Sequence, residues 1–121
     1  MADQIIRITE VVGSGLCIAS DAGDKVHAKI VDAIKRGDKV QLSFVGIQDL
    51  TSAFLNSAVG QLYGEFPEPQ LKASLLPPTG ASPDDLALLK RVVERAREYF
   101  KDRKPFDKAE REVLGDDSDQ G

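Results

Sequence analysis

The chain has no tryptophan, one cysteine, one histidine and one methionine among 121 residues, and only seven of its side chains are phenylalanine or tyrosine. Each scarcity removes a class of chemistry. A lone Cys17 forms no internal disulfide and no cysteine metal cluster, which fits a reducing cytoplasm. A lone His27, with no second histidine or cysteine partner, gives little basis for a metal site or a catalytic triad. No apolar run approaches the about 20 residues of a membrane-spanning helix. Met1-Ala2-Asp3-Gln4 lacks the basic and apolar regions of a signal peptide. Basic excess is also missing. The net charge is −4, which argues against a general nucleic-acid binder.

That charge is unevenly placed. Residues 1–106 carry 14 acidic and 14 basic side chains, and residues 107–121 carry six acidic and two basic. The expected organisation is one α/β domain over residues 1–106 followed by an acidic, largely disordered tail over 107–121. A local basic cluster, Lys90 to Lys104, has seven basic and three acidic residues. Its plain reading is a solvated helix face. Its sharper one is a weak anionic docking site, or a place where the chain's own acidic tail folds back.

Charge is also absent from Leu50 to Gly64 in a chain that is 30% charged. A helix that avoids charge on every face is buried or meets a partner. Before it, Val40, Leu42 and Phe44 alternate as in a strand. After the turn, Thr51 or Ser52 can cap a helix reaching about Tyr63. The small residues Ala53, Ser57, Gly60 and Gly64 recur at helical spacing and suit close packing, either inside the fold or against a partner.

The remaining elements follow from punctuation and period. Gln4 to Val12 alternates as a strand, Gly13-Ser14-Gly15 reads as a hairpin turn, and Leu16 to Ala19 as a returning strand. Ser20 or Asp21 opens a helix that turns Val26, Ile30, Val31 and Ile34 inward and stops at Gly37. Leu71 to Leu76 reads as a last strand. A final helix is capped by Ser82, begins with Pro83, carries Asp84 and Asp85 in its first turn, and ends before Pro105. Its apolar face is Leu86, Leu89, Val93, Ala96 and Phe100. The order β-β-α-β-α-β-α predicts a small α/β domain with a four-stranded mixed sheet covered by three helices. Val40, Leu42, Phe44, Leu55, Val59, Leu62, Leu89 and Val93 are its expected core.

This order, together with the strand, the short turn and Thr51-Ser52-Ala53-Phe54-Leu55, resembles the STAS-like family, relatives of the STAS domains of anti-sigma factor antagonists. The likeness covers roughly Ile5 to Leu76. In that family the comparable place reads as a hydroxyl or small residue followed by Phe and Leu. Ser20-Asp21 is loosely similar to the family's Ser-Arg opening, with Asp21 in place of the arginine. STAS antagonists carry Asp-Ser-Ser-Gly at the turn, and a serine there is phosphorylated by a partner kinase. Aligning on Leu55 puts Thr51 on the aspartate, Ser52 on the first serine and Ala53 on the phosphorylated one. The phosphoacceptor role therefore does not carry over directly, and Ser52 and Thr51 stand as candidates under an alignment shifted by one.

The resemblance implies a non-enzymatic, bacterial-type, cytoplasmic regulatory module. It would act by protein–protein contact through Asp49, Thr51, Ser52, Ala53, Phe54 and Ser57. The implied partner is a histidine-kinase-like ATPase or another signalling protein, with a homodimer as an option and no cofactor, metal, nucleic acid or membrane. The alternative is a small-ligand or nucleotide-sensing domain that binds an anion where Thr51 and Ser52 open the helix. An enzyme using Cys17 or the pair Asp38 and Asp49 is a third class. Gly13-Ser14-Gly15 lacks the Lys-Ser/Thr ending of a phosphate loop.

Overall fold

The alternation of Val40, Leu42 and Phe44 marks the middle of the molecule: all three are buried. The computed structural model describes residues 3–101. Strand β1 (Asp3–Arg7) runs into helix α1 (Ile8–Val12), followed by β2 (Leu16–Cys17), α2 (Ser20–Lys35) and β3 (Lys39–Ser43). Next come β4 (Asp49–Leu50), α3 (Ser52–Ala58), a 3-10 helix (Gly60–Gly64), α4 (Glu68–Ser74) and α5 (Pro83–Lys101). β3 pairs in parallel with β1, from Asp3 opposite Lys39 to Arg7 opposite Ser43. On its other edge β3 meets the extended residues 75–79: Leu76 N–H donates to the Val40 carbonyl at 2.8 Å and Phe44 N–H to that of Thr79 at 2.8 Å. β2 and β4 form a separate parallel pair.

The fold is thus α/β, but among the described residues the single four-stranded sheet is replaced by two small two-stranded parallel sheets, and five α-helices stand where three were expected. The hairpin is overturned with it, because β2 pairs with β4 and not with β1. The strand expected over Gln4 to Val12 ends at Arg7. Ile8, Val11 and Val12 then share one helical face, with Ile8 buried and the other two half-buried. Gly13 ends that turn in the left-handed region at φ 91°, its N–H bonded to the Thr9 carbonyl.

The last strand is also corrected, since Leu71 lies within α4. Pro69 sits at the start of this helix, where a missing N–H costs nothing, and Leu71 and Leu75 recur one turn apart toward the core. The capping of α5 matches the sequence: Ser82 Oγ accepts the Asp85 N–H at 3.1 Å. Its orientation departs from it. Val92 and Ala96 are buried, whereas Leu89 and Val93 are half-buried and border a cavity of about 170 Å³ with Val40, Leu42 and Val59. Val92 and Ala96 face Gly60, where an added Cβ would meet them at ordinary contact distances of 3.7 and 3.8 Å. The other six expected core residues are buried.

α2 and α3 pack closely at Gly23. A Cβ placed on Gly23 would lie 2.4 Å from the Phe54 carbonyl oxygen and 2.8 Å from Ser57 Cβ. Gly→Ala inside a helix ordinarily stabilises by about 1 kcal/mol. Here the obstacle is backbone, so Gly23→Ala is expected to reverse that sign and lower the melting temperature by several degrees. An unchanged or higher melting temperature would show that the two helices do not cross at Gly23.

Candidate recognition edge

Thr51 is the residue on which this edge is built. In the N-cap position of α3 its Oγ1 accepts the Phe54 N–H at 3.1 Å and donates to the Ile18 carbonyl at 2.6 Å. Its own N–H reaches the Cys17 carbonyl at 3.2 Å. Two of these three bonds therefore tie the start of α3 to the end of β2, and the register of Leu16 with Asp49 and Cys17 with Leu50 extends the tie. Since β2 and β4 are parallel, α2 and α3 leave them from the same end. Their amino termini are neighbours.

Asp49, Ser52 and Ala53 are exposed here and Thr51 is half-buried. The Ser52 side chain makes no hydrogen bond among the described residues, so of the two capping candidates it is Thr51 that caps. Phe54 and Ser57 are corrected: Phe54 is fully buried and Ser57 faces Gly23 of α2, which removes both from any contact edge. The small-residue stripe turns inward at three of its four positions, with Ser57 against Gly23, Gly60 against Val92 and Ala96 and Gly64 against Phe100, while Ala53 is exposed.

Two residues missed in the sequence complete the edge. Leu16 and Ile18 are about half exposed, at 50% and 45%, while Cys17 between them is fully buried. The signal was available: a strand that buries its middle residue turns both neighbours outward. Charge at this edge is negative. Asp49 and Asp21 are both exposed, and Asp21 Oδ1 accepts the Ala22 N–H at 2.9 Å in the first turn of α2.

The other candidate groups lie on separate segments of the chain. Asp38 is held by Gln4 at 2.5 Å beside Arg36, whereas Asp49 lies in β4 opposite Leu16. His27 Nε2 meets Glu65 Oε1 at 2.9 Å, and Nδ1 lies 3.4 Å from the Ala58 carbonyl, so the ring ties α2 to the end of α3 and to the residue after the 3-10 helix. Burial pushes the Cys17 thiol above its ordinary range, with Asp85 adding to the shift, so the reactive thiolate is suppressed. Among the described residues no cluster of three or more His, Cys, Asp or Glu side chains could hold a metal ion, and no helix is long and apolar enough to cross a membrane.

The model of the STAS-like domain of unknown function (DUF4325) matches residues 22–86, from the first turn of α2 to the first turn of α5. The chain belongs to this family. No curated protein and no solved structure matches it. The matched region of this STAS-like domain takes in α2, the central strand and the whole of the Asp49–Ala53 edge, but not Leu16 and Ile18.

Two outcomes follow from this geometry. Thr51→Ala loses the cap and the bond to Ile18 and is expected to cost about 1–2 kcal/mol in denaturant unfolding, Thr51→Ser appreciably less, and Ser52→Ala no more than about 0.5 kcal/mol. A larger loss for Ser52→Ala than for Thr51→Ala would reassign the cap. Cys17 is expected to resist a thiol reagent at pH 8 in the folded chain and to react promptly in denaturant. Equal rates in the two conditions would contradict its burial.

Proposed function

We propose that this STAS-like domain is a non-enzymatic regulatory module that works by protein–protein contact, through Leu16, Ile18, Asp49, Thr51, Ser52 and Ala53. The observation that carries the reading is the pair of exposed aliphatic side chains, Leu16 and Ile18, beside the free hydroxyl of Ser52. An apolar pair rimmed by a hydroxyl and a carboxylate is a small version of an interface core with its polar border. By resemblance the partner is a signalling protein of the histidine-kinase-like ATPase type in a bacterial cytoplasm, and a second copy of the chain is the competing occupant. Ser52 is the more accessible phosphoacceptor candidate, because both hydrogen-bonding roles of Thr51 Oγ1 are already used. A phosphate on Ser52 would sit in the first turn of α3, where the helix dipole tolerates it.

The ligand-sensing reading rests on the two helix amino termini lying side by side. Each offers about half a positive charge. Asp21 and Asp49 stand there as full negative charges, which disfavours an anion. A seven-residue α3 adds little field of its own.

The test is Ser52→Glu. A carboxylate in the first turn leaves stability nearly unchanged, but burying it in a contact costs far more than any cap contributes. Binding to the partner that co-purifies with the chain is expected to fall at least about tenfold for Ser52→Glu and to stay near wild type for Ser52→Ala, with matching melting curves. Equal binding by all three proteins would remove this edge from recognition. A clear rise in melting temperature with nucleotide or phosphate would instead favour ligand sensing.

A further inference from the structure

Past the 3-10 helix, a groove of about 920 Å³ opens between Tyr63–Glu68 and the carboxyl-terminal half of α5. Tyr63, Phe66 and Phe100, all half-buried, line it. Arg91, Arg95, Arg97 and Lys101 stand along it with Glu68, Glu94 and Glu98. Arg97 is already committed, its Nε 2.7 Å from Glu68 Oε2 rather than turned back to Glu94. Arg91, Arg95 and Lys101 make no ion pair among the described residues. The groove is therefore aromatic underneath, with three uncommitted cations against two uncommitted carboxylates.

We propose that this groove is the docking site of the chain's own acidic segment, residues 107–121. Three observations choose that occupant. Its composition is complementary: six acids and two bases, with the aliphatic pair Val113-Leu114 in the middle. Its attachment is local, since α5 delivers the chain at Lys101, itself a groove residue. Its reach suffices, because returning from Lys101 to the level of Arg91 spans about 15 Å at 1.5 Å per helical residue, which about five extended residues cover.

Tethering makes the encounter intramolecular, at an effective concentration in the millimolar range, so weak contacts are enough. The apolar part must carry most of the affinity. Glu94 and Glu98 oppose the acidic segment, and surface pairs are largely screened beyond about 8 Å at physiological salt. Val113 and Leu114 on the aromatic floor are thus the main anchor, and the cations set direction. This site is separate from the Leu16–Ser52 edge and does not depend on it.

The experiment uses the full chain. Ser118→Cys takes a nitroxide label, since buried Cys17 leaves it the accessible thiol, and paramagnetic broadening of amide signals is read by NMR. The expected result is strong broadening at Phe66, Arg91, Arg95 and Phe100 and none at Leu16. It should return to the Leu16 level in V113S/L114S, weaken in R95E, and survive in part at high salt. Broadening that is absent, uniform over the chain, or unchanged in V113S/L114S overturns the proposal. So does broadening seen when labelled chains are mixed with isotope-enriched unlabelled ones, because the segment would then be reaching a second copy.

Discussion

The approach of α2 to α3 at Gly23 is the constraint from which the rest of the arrangement follows. With no side chain between them, the α2 backbone comes close enough that an added Cβ would overlap the Phe54 carbonyl. Two helices held that tightly by backbone have little freedom to slide. Their amino termini are then fixed as neighbours, and the strands that feed them, β2 and β4, are set parallel and in register. Thr51 closes the arrangement by bonding both to its own helix and to Ile18. The exposed edge is a consequence of that packing and needs no separate device to shape it.

The same packing accounts for the missing charge between Leu50 and Gly64. In sequence, one buried face does not require charge to be excluded from every position, and a partner suggests itself. In the structure α3 has buried faces on two sides, toward Gly23 of α2 and toward α5, and the 3-10 helix continues under Val92 and Ala96. Within α3 only Ser52, Ala53 and Asn56 remain exposed. Lack of charge is therefore an internal property of the fold, and the argument for a partner moves to Leu16 and Ile18, where aliphatic carbon faces water.

What could be read in advance was whatever depended on local signals. The inward set Val40, Leu42 and Phe44, the stop of α2 and the Ser82 cap of α5 each depend on neighbours within a few residues. The errors are of two kinds. Gln4 to Val12 and Leu71 to Leu76 are ambiguous in period: Ile6 and Ile8 alternate, yet Ile8, Val11 and Val12 also share a helical face, and tertiary packing decided between them. The sheet arrangement was not local at all, because strands of two residues carry almost no periodicity and their pairing depends on which helices meet. The site divided the same way. The exposure of Asp49, Ser52 and Ala53 follows from their place where a loop meets a helix start, whereas the burial of Phe54 and Ser57 depended on Gly23, about 30 residues earlier.

The sign of the charge at the edge decides which kind of recognition it suits. Helix termini favour anions when nothing nearby opposes them, and in nucleotide-binding folds a glycine-rich loop leads the phosphate onto the helix N–H groups. Here Asp21 lies in the first turn of α2 and Asp49 two residues before the Thr51 cap. Their carboxylates use the positive ends of the helices themselves, as in the bond from the Ala22 N–H to Asp21. An incoming phosphate would have to displace or repel them. A protein surface need not, since it can meet Leu16 and Ile18 with apolar side chains and leave both acids at the wet border, where they guide orientation more than strength. That asymmetry favours the proposed contact surface over the ligand-sensing alternative.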